Sequence, residues 1–170
     1  SMKSYLALLI SVCVATGCRL PWGGEPGRVG PVLYFDWETT AEEQADRLRW
    51  LCRGLGIEPP GNLYYRRQAR SILADIAEMK READEKEAVM VVIDSLGAAC
   101  GGDATEQSVI GPAYQALRQM KRAARLVVTH LSKAGSQGRQ VATPFGSVYV
   151  TNESRSVWEL KRSEGSSDSC

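Results

Sequence analysis

The chain carries a single histidine, His130, and its five cysteines (Cys13, Cys18, Cys52, Cys100 and Cys170) include no CxxC pair. A zinc site at the usual ligand spacing is therefore excluded. An odd number of thiols without a paired framework fits a reducing compartment, so a cytoplasmic protein is expected. Net charge is nearly absent as well, at +1. No global field draws the molecule to nucleic acid or membrane, and any polyanion contact must be local. The apolar run at the N-terminus is too short to span a bilayer, so no membrane partner is expected. No GxGxxG follows a strand-like run, which argues against a dinucleotide-dependent dehydrogenase. No internal repeat is visible.

What remains is ordinary globular composition: 170 residues, 44% hydrophobic and 24% charged. That suits one domain better than two. Met2-Lys3 followed by an apolar stretch has the look of a secretory signal, and Ala15-Thr16-Gly17-Cys18 the look of a lipoprotein cleavage box. The rest of the chain reads as an intracellular enzyme and argues against that alternative, a secreted lipoprotein.

Residues 4–16 lack glycine and proline and are almost wholly apolar, which predicts a buried helix ended by Gly17. Residues 20–31 are rich in glycine and proline and predict a loop. Val32–Asp36 predicts a strand covered on both faces. Thr39 or Thr40 can cap a helix to about Leu55, with Ala45, Leu48, Leu51, Cys52 and Leu55 on its apolar face. A short strand over 62–66 and an amphipathic helix over 72–86 follow. Residues 89–94 are the most hydrophobic strand and predict a central position. A loop over 97–103, a helix over 108–124, a buried strand over 126–130 and a polar loop over 132–147 come next. Residues 148–150 and 157–160 are strand candidates. Alternating strands and helices define an α/β fold with a mainly parallel sheet.

In such sheets ligands bind beyond the carboxyl ends of the strands. Glu38, Asp94 with Ser95, and His130 all stand at such ends. Lys3-Ser4 opens the first helix as a phosphate-binding loop requires: backbone N–H groups hold phosphates, the lysine neutralises them and the hydroxyl binds Mg²⁺. Asp94 ends an apolar strand, where a carboxylate holds the Mg²⁺ shell. Glu38 is the candidate general base; Asp36 projects to the same face but sits deeper. His130 can sense a γ-phosphate. Arg155 and Lys161 are candidate cations for phosphoryl transfer across a subunit interface. Lys133 and Arg139 lie in the polar loop, where they can meet a nucleic-acid backbone.

On residues 3–24, 32–51, 89–108, 126–135 and 144–162 the chain resembles the RecA-like ATPases, in particular the RepA-like hexameric helicases of plasmid and phage replication. Ala15-Thr16-Gly17 with Arg19 and Trp22 belongs to that resemblance, which accounts for the stretch without a lipoprotein signal. The resemblance implies a three-layer RecA-like P-loop NTPase core, ATP and Mg²⁺ as ligands, ring assembly as a homo-oligomer (a hexamer) and single-stranded DNA as partner. By position it implies Lys3 and Ser4 as the Walker A lysine and hydroxyl, Glu38 as catalytic glutamate, Asp94 as the Walker B aspartate, His130 as sensor and Arg155 as the cation near a neighbour's nucleotide. The expected domain is 1–162, missing the first strand and truncated at both ends, with a polar tail over 163–170. Met2 stands where glycine is usual, so weak nucleotide affinity is expected. A regulatory or loading ATPase of the same fold is the alternative function.

Overall fold

The computed structural model describes residues 1–102, 106–130 and 148–160. Helix α1 (Met2–Thr16) starts where the Ser1 side chain accepts the Ser4 N–H and stops at Gly17, whose φ of 81° is the left-handed cap that glycine adopts without strain. Strand β1 (Val32–Asp36) follows the Gly/Pro-rich loop. Helix α2 (Ala41–Leu55) is capped by the Thr40 side chain on the Glu43 N–H, with Glu42 and Glu43 favoured by the helix dipole in the first turn. Then come β2 (Leu63–Arg67), α3 (Ile72–Glu85), β3 (Met90–Asp94), the single-turn α4 (Leu96–Ala99), α5 (Gln107–Leu117), β4 (Ala124–Val128) and α6 (Val148–Glu153).

The four strands form one all-parallel sheet in the order β2-β1-β3-β4. Phe35 lies opposite Ile93, and Asp36 opposite Asp94. Every residue of β1 and β3 is buried, as expected of inner strands covered on both faces. Strand alternation divides the core. Leu33, Phe35, Val91 and Ile93 meet Ile72, Met79, Ile110 and Leu117 of α3 and α5 on one face. Val32, Tyr34, Met90 and Val92 meet Ala7 and Leu8 of α1 on the other, with Leu48 and Leu51 of α2 beside them. The result is a three-layer α/β/α domain. Ile93 is fully buried at its centre. Ile93→Ala is expected to cost about 2–5 kcal/mol, read as a lower urea midpoint at unchanged slope.

Five sequence expectations are corrected. The helix predicted over 108–124 ends at Leu117, because Ala124 must donate its N–H to Val89 O (2.8 Å) and open β4 opposite Met90. The loop predicted over 97–103 begins as α4, closed by Ala99 N–H to Ser95 O and Cys100 N–H to Leu96 O. The strand candidate 148–150 is helical in α6, where Val150 is buried against the α5 face and Ser154 Oγ donates to its carbonyl. The candidate 157–160 has no regular structure, and Val157, Trp158 and Leu160 are exposed where a sheet would bury them. On α2 the buried positions are Gln44 and Cys52, while Ala45 faces solvent. The polar loop over 132–147, the tail and Lys161 lie outside the described residues.

Candidate active site

Period-two alternation carries the α1 face of the sheet to its carboxyl edge. Tyr34 and Val92 face α1, so two residues on Asp36 and Asp94 leave the strands on that same side. The first turn of α1 meets them there: Tyr34 Oη lies 3.5 Å from the Ser4 carbonyl.

Asp36 is fully buried and committed to the turn that follows β1. Its Oδ1 accepts the N–H groups of Glu38 (2.7 Å) and Thr39 (2.9 Å), and Oδ2 lies 3.3 Å from Tyr65 Oη. Tyr65 Oη also reaches Thr39 O at 2.8 Å, and Arg47 donates to Thr39 Oγ1 at 3.1 Å. These bonds leave Glu38 projecting outward over the edge, its side chain 39% exposed.

Glu38 does not stand alone there. Ser95 Oγ donates to its Oε1, and His130 Nε2 lies 3.3 Å from the same oxygen. His130 Nδ1 in turn lies 3.3 Å from Lys3 Nζ. An ammonium only donates, so Nδ1 must accept and the imidazole proton sits on Nε2, directed at Glu38. The chain Lys3–His130–Glu38–Ser95 thus runs from α1 across β4 and β1 to the end of β3. Burial pushes the Glu38 carboxyl up, but the hydrogen bonds from Ser95 and His130 and the nearby positive charge outweigh it and hold the group below the ordinary glutamate value.

Asp94 sits one layer deeper, 2% exposed. Tyr34 Oη donates to its Oδ2 at 2.6 Å, whereas Oδ1 is buried with no hydrogen-bond partner. Burial raises its pKa above the ordinary aspartate value, opposed by the hydrogen bond from Tyr34, and the neighbouring Asp36 and Glu38 add to the rise. An orphaned carboxylate oxygen costs free energy unless something positive meets it. Ser4, also buried, stands beside it at the start of α1, whose first turn holds no acidic residue. Among the described residues no cluster of three or more His, Cys, Asp or Glu could hold a metal unaided. That donor set suits Mg²⁺, which keeps several waters and binds through one or two protein oxygens together with substrate phosphates.

Of the residues singled out by sequence, Lys3, Ser4, Glu38, Asp94 and His130 come together at this edge. Arg155 does not: it is exposed beyond α6, and no contact among the described residues links it to the cluster. Lys133 and Arg139 lie outside the described residues. Sequence reasoning gave no role to Tyr34, Tyr65, Arg47 or the Ser95 hydroxyl. The signal for Tyr34 was present: it is two residues from Asp36 in an otherwise apolar strand, so both share one face.

A parallel α/β sheet with a lysine, a hydroxyl and two carboxylates at its carboxyl edge, beside a helix N-terminus, is the arrangement of a nucleoside triphosphatase. The AAA domain family matches residues 1–136. The chain belongs to that family, the RecA-like P-loop ATPases, and ATP binding and hydrolysis is the chemistry that membership implies. No curated protein matches the chain. Among the described residues no helix is long and apolar enough to cross a membrane.

Proposed function

We propose that the chain is the ATP-hydrolysing domain of a RepA-like replicative helicase, in which hydrolysis drives movement along single-stranded DNA within a hexameric ring. The observation that supports it most directly is the convergence of Lys3, Ser4, Asp94, Glu38 and His130 at one sheet edge. In this reading the α1 N-terminus and Lys3 take the terminal phosphates. Ser4 Oγ and Asp94 Oδ1 would hold Mg²⁺, which neutralises charge developing on the phosphates when bound. Glu38 orients the attacking water by accepting its hydrogen bond. A carboxylate held below its ordinary value is a weak base, so positioning and polarising the water is its larger contribution. His130 donates to Glu38 from Nε2 and reads the γ-phosphate once Lys3 moves to it.

Arg155 supplies a cation to the nucleotide of the neighbouring subunit. Lys133 and Arg139 touch the DNA backbone. The double substitution Lys133/Arg139→Ala is expected to cut DNA-stimulated turnover roughly tenfold with basal turnover intact, and to flatten its dependence on salt. Unchanged stimulation would remove DNA from that loop. A strand-displacement assay separates the motor from a loading ATPase of the same fold: DNA-stimulated turnover without unwinding favours the loader.

A further inference from the structure

We infer that Tyr34 is a positioning residue for the metal-binding carboxylate, fixing Asp94 so that one oxygen, Oδ1, faces the cation. The inference rests on the assignment of Asp94 to Mg²⁺ made above. Tyr34 is 1% exposed and lies on β1 opposite Val92, two residues before Asp94 on the adjoining strand. Its ring is set against Tyr65, centroids 6.3 Å apart, so the hydroxyl has one place to go. That hydroxyl has one proton and two nearby acceptors, Asp94 Oδ2 at 2.6 Å and Ser4 O at 3.5 Å. The shorter contact takes the proton, at the length of a hydroxyl–carboxylate bond strengthened by charge.

The consequence is an asymmetric carboxylate. Oδ2 is engaged, Oδ1 has no partner, and rotation that would exchange them breaks the Tyr34 bond. A carboxylate restrained in this way offers one oxygen in one direction, which suits the strict octahedron of Mg²⁺. A carboxylate free to rotate can present both oxygens, which suits the larger and more variable shell of Ca²⁺. Tyr34 therefore acts on metal affinity and on metal choice, and it does so without touching the ion. The same hydroxyl lies 3.5 Å from the Ser4 carbonyl, which places Tyr34 between the start of α1 and the end of β3.

The test is Tyr34→Phe, which removes one oxygen from a buried ring. Mn²⁺ binding is followed by electron paramagnetic resonance in the protein loaded with a non-hydrolysable ATP analogue, with Mg²⁺ and Ca²⁺ as competitors. The expected result is about a tenfold weaker Mn²⁺ complex, a smaller preference for Mg²⁺ over Ca²⁺, and unchanged affinity for the analogue without metal. Mn²⁺ affinity within about twofold of the parent, with the Mg²⁺ preference kept, overturns the inference. Asp94→Asn is measured alongside: lost Mn²⁺ binding there with none lost in Tyr34→Phe sinks the role of Tyr34 alone, whereas binding unaffected by both sinks the metal reading itself. Should Tyr34→Phe fold poorly, 3-fluorotyrosine at position 34 keeps both shape and donor and is expected to hold parental affinity; a loss with it equally overturns the role assigned to the hydroxyl.

Discussion

Glu38→Gln is expected to lower ATP turnover about 10²- to 10⁴-fold while ATP stays bound. The amide keeps the volume and can still accept from Ser95 and His130, so the turn built on Asp36 is undisturbed. What disappears is the negative charge that, in the proposed mechanism, aligns a water for attack. Single-turnover hydrolysis and nucleotide retention, measured on the same preparation, check both halves. Normal turnover removes Glu38 from the chemistry, and lost binding makes it a nucleotide contact instead. The pH dependence follows from the same contacts. The folded Glu38 carboxyl titrates below its unfolded value. Its contribution to stability is therefore complete above the unfolded value and is lost as pH falls through the lower, folded one. Because the side chain is 39% exposed, that contribution is small and salt-sensitive. Glu38→Gln should remove this acid-side slope from the stability profile.

Glu38 was legible in the sequence because it follows directly on the run Val32–Trp37, and strand periodicity with the edge rule does the rest. Asp94 was legible for the same reason at the end of β3, as was the pairing of that strand in the centre of the sheet. What periodicity does not carry is the identity of cross-strand partners. That Tyr34 reaches Asp94 depends on the β1–β3 register, which only the assembled sheet defines. Helix ends were misread where tertiary demands override propensity: residues 118–123 suit a helix locally but must turn so that β4 starts beside Met90. An apolar triplet such as Val148–Val150 fits strand and helix equally, and burial of Val150 against the α5 face accompanies the helix.

Asp94→Asn is expected to lower turnover roughly a hundredfold to a thousandfold, about 3–4 kcal/mol of lost transition-state stabilisation, without destabilising the nucleotide-free fold. Asp94 is buried, its Oδ1 is unpaired, and its pKa is raised chiefly by that burial. The sign is opposite to that of Glu38. A carboxyl whose folded value lies above its unfolded one weakens the fold as pH rises through that interval, and the full penalty applies above it. Asparagine removes the charge and keeps an acceptor for Tyr34 Oη, and a buried unpaired amide costs less than a buried unpaired charge. The melting temperature of nucleotide-free Asp94→Asn should equal or exceed that of the parent above this interval. The difference should shrink as the pH is lowered towards the unfolded aspartate value. A clear drop in melting temperature with turnover preserved would make Asp94 a structural residue. The trade between stability and activity is the usual mark of a functional group held in an unfavourable place.

The all-parallel order β2-β1-β3-β4 has a kinetic side. No two neighbouring strands are joined by a hairpin, so each pairing closes a loop containing a helix, and early folding has few short-range sheet contacts to build on. As the chain leaves the ribosome, β1 can pair with β2 once α2 is out. Its other edge, the one that carries Tyr34 to Asp94, stays open until β3 emerges. That edge belongs to the strand Val-Leu-Tyr-Phe-Asp, apolar on both faces and rich in β-forming residues. The interval between synthesis of β1 and β3 is therefore the period of greatest exposure to aggregation, and the one in which a chaperone has most to protect.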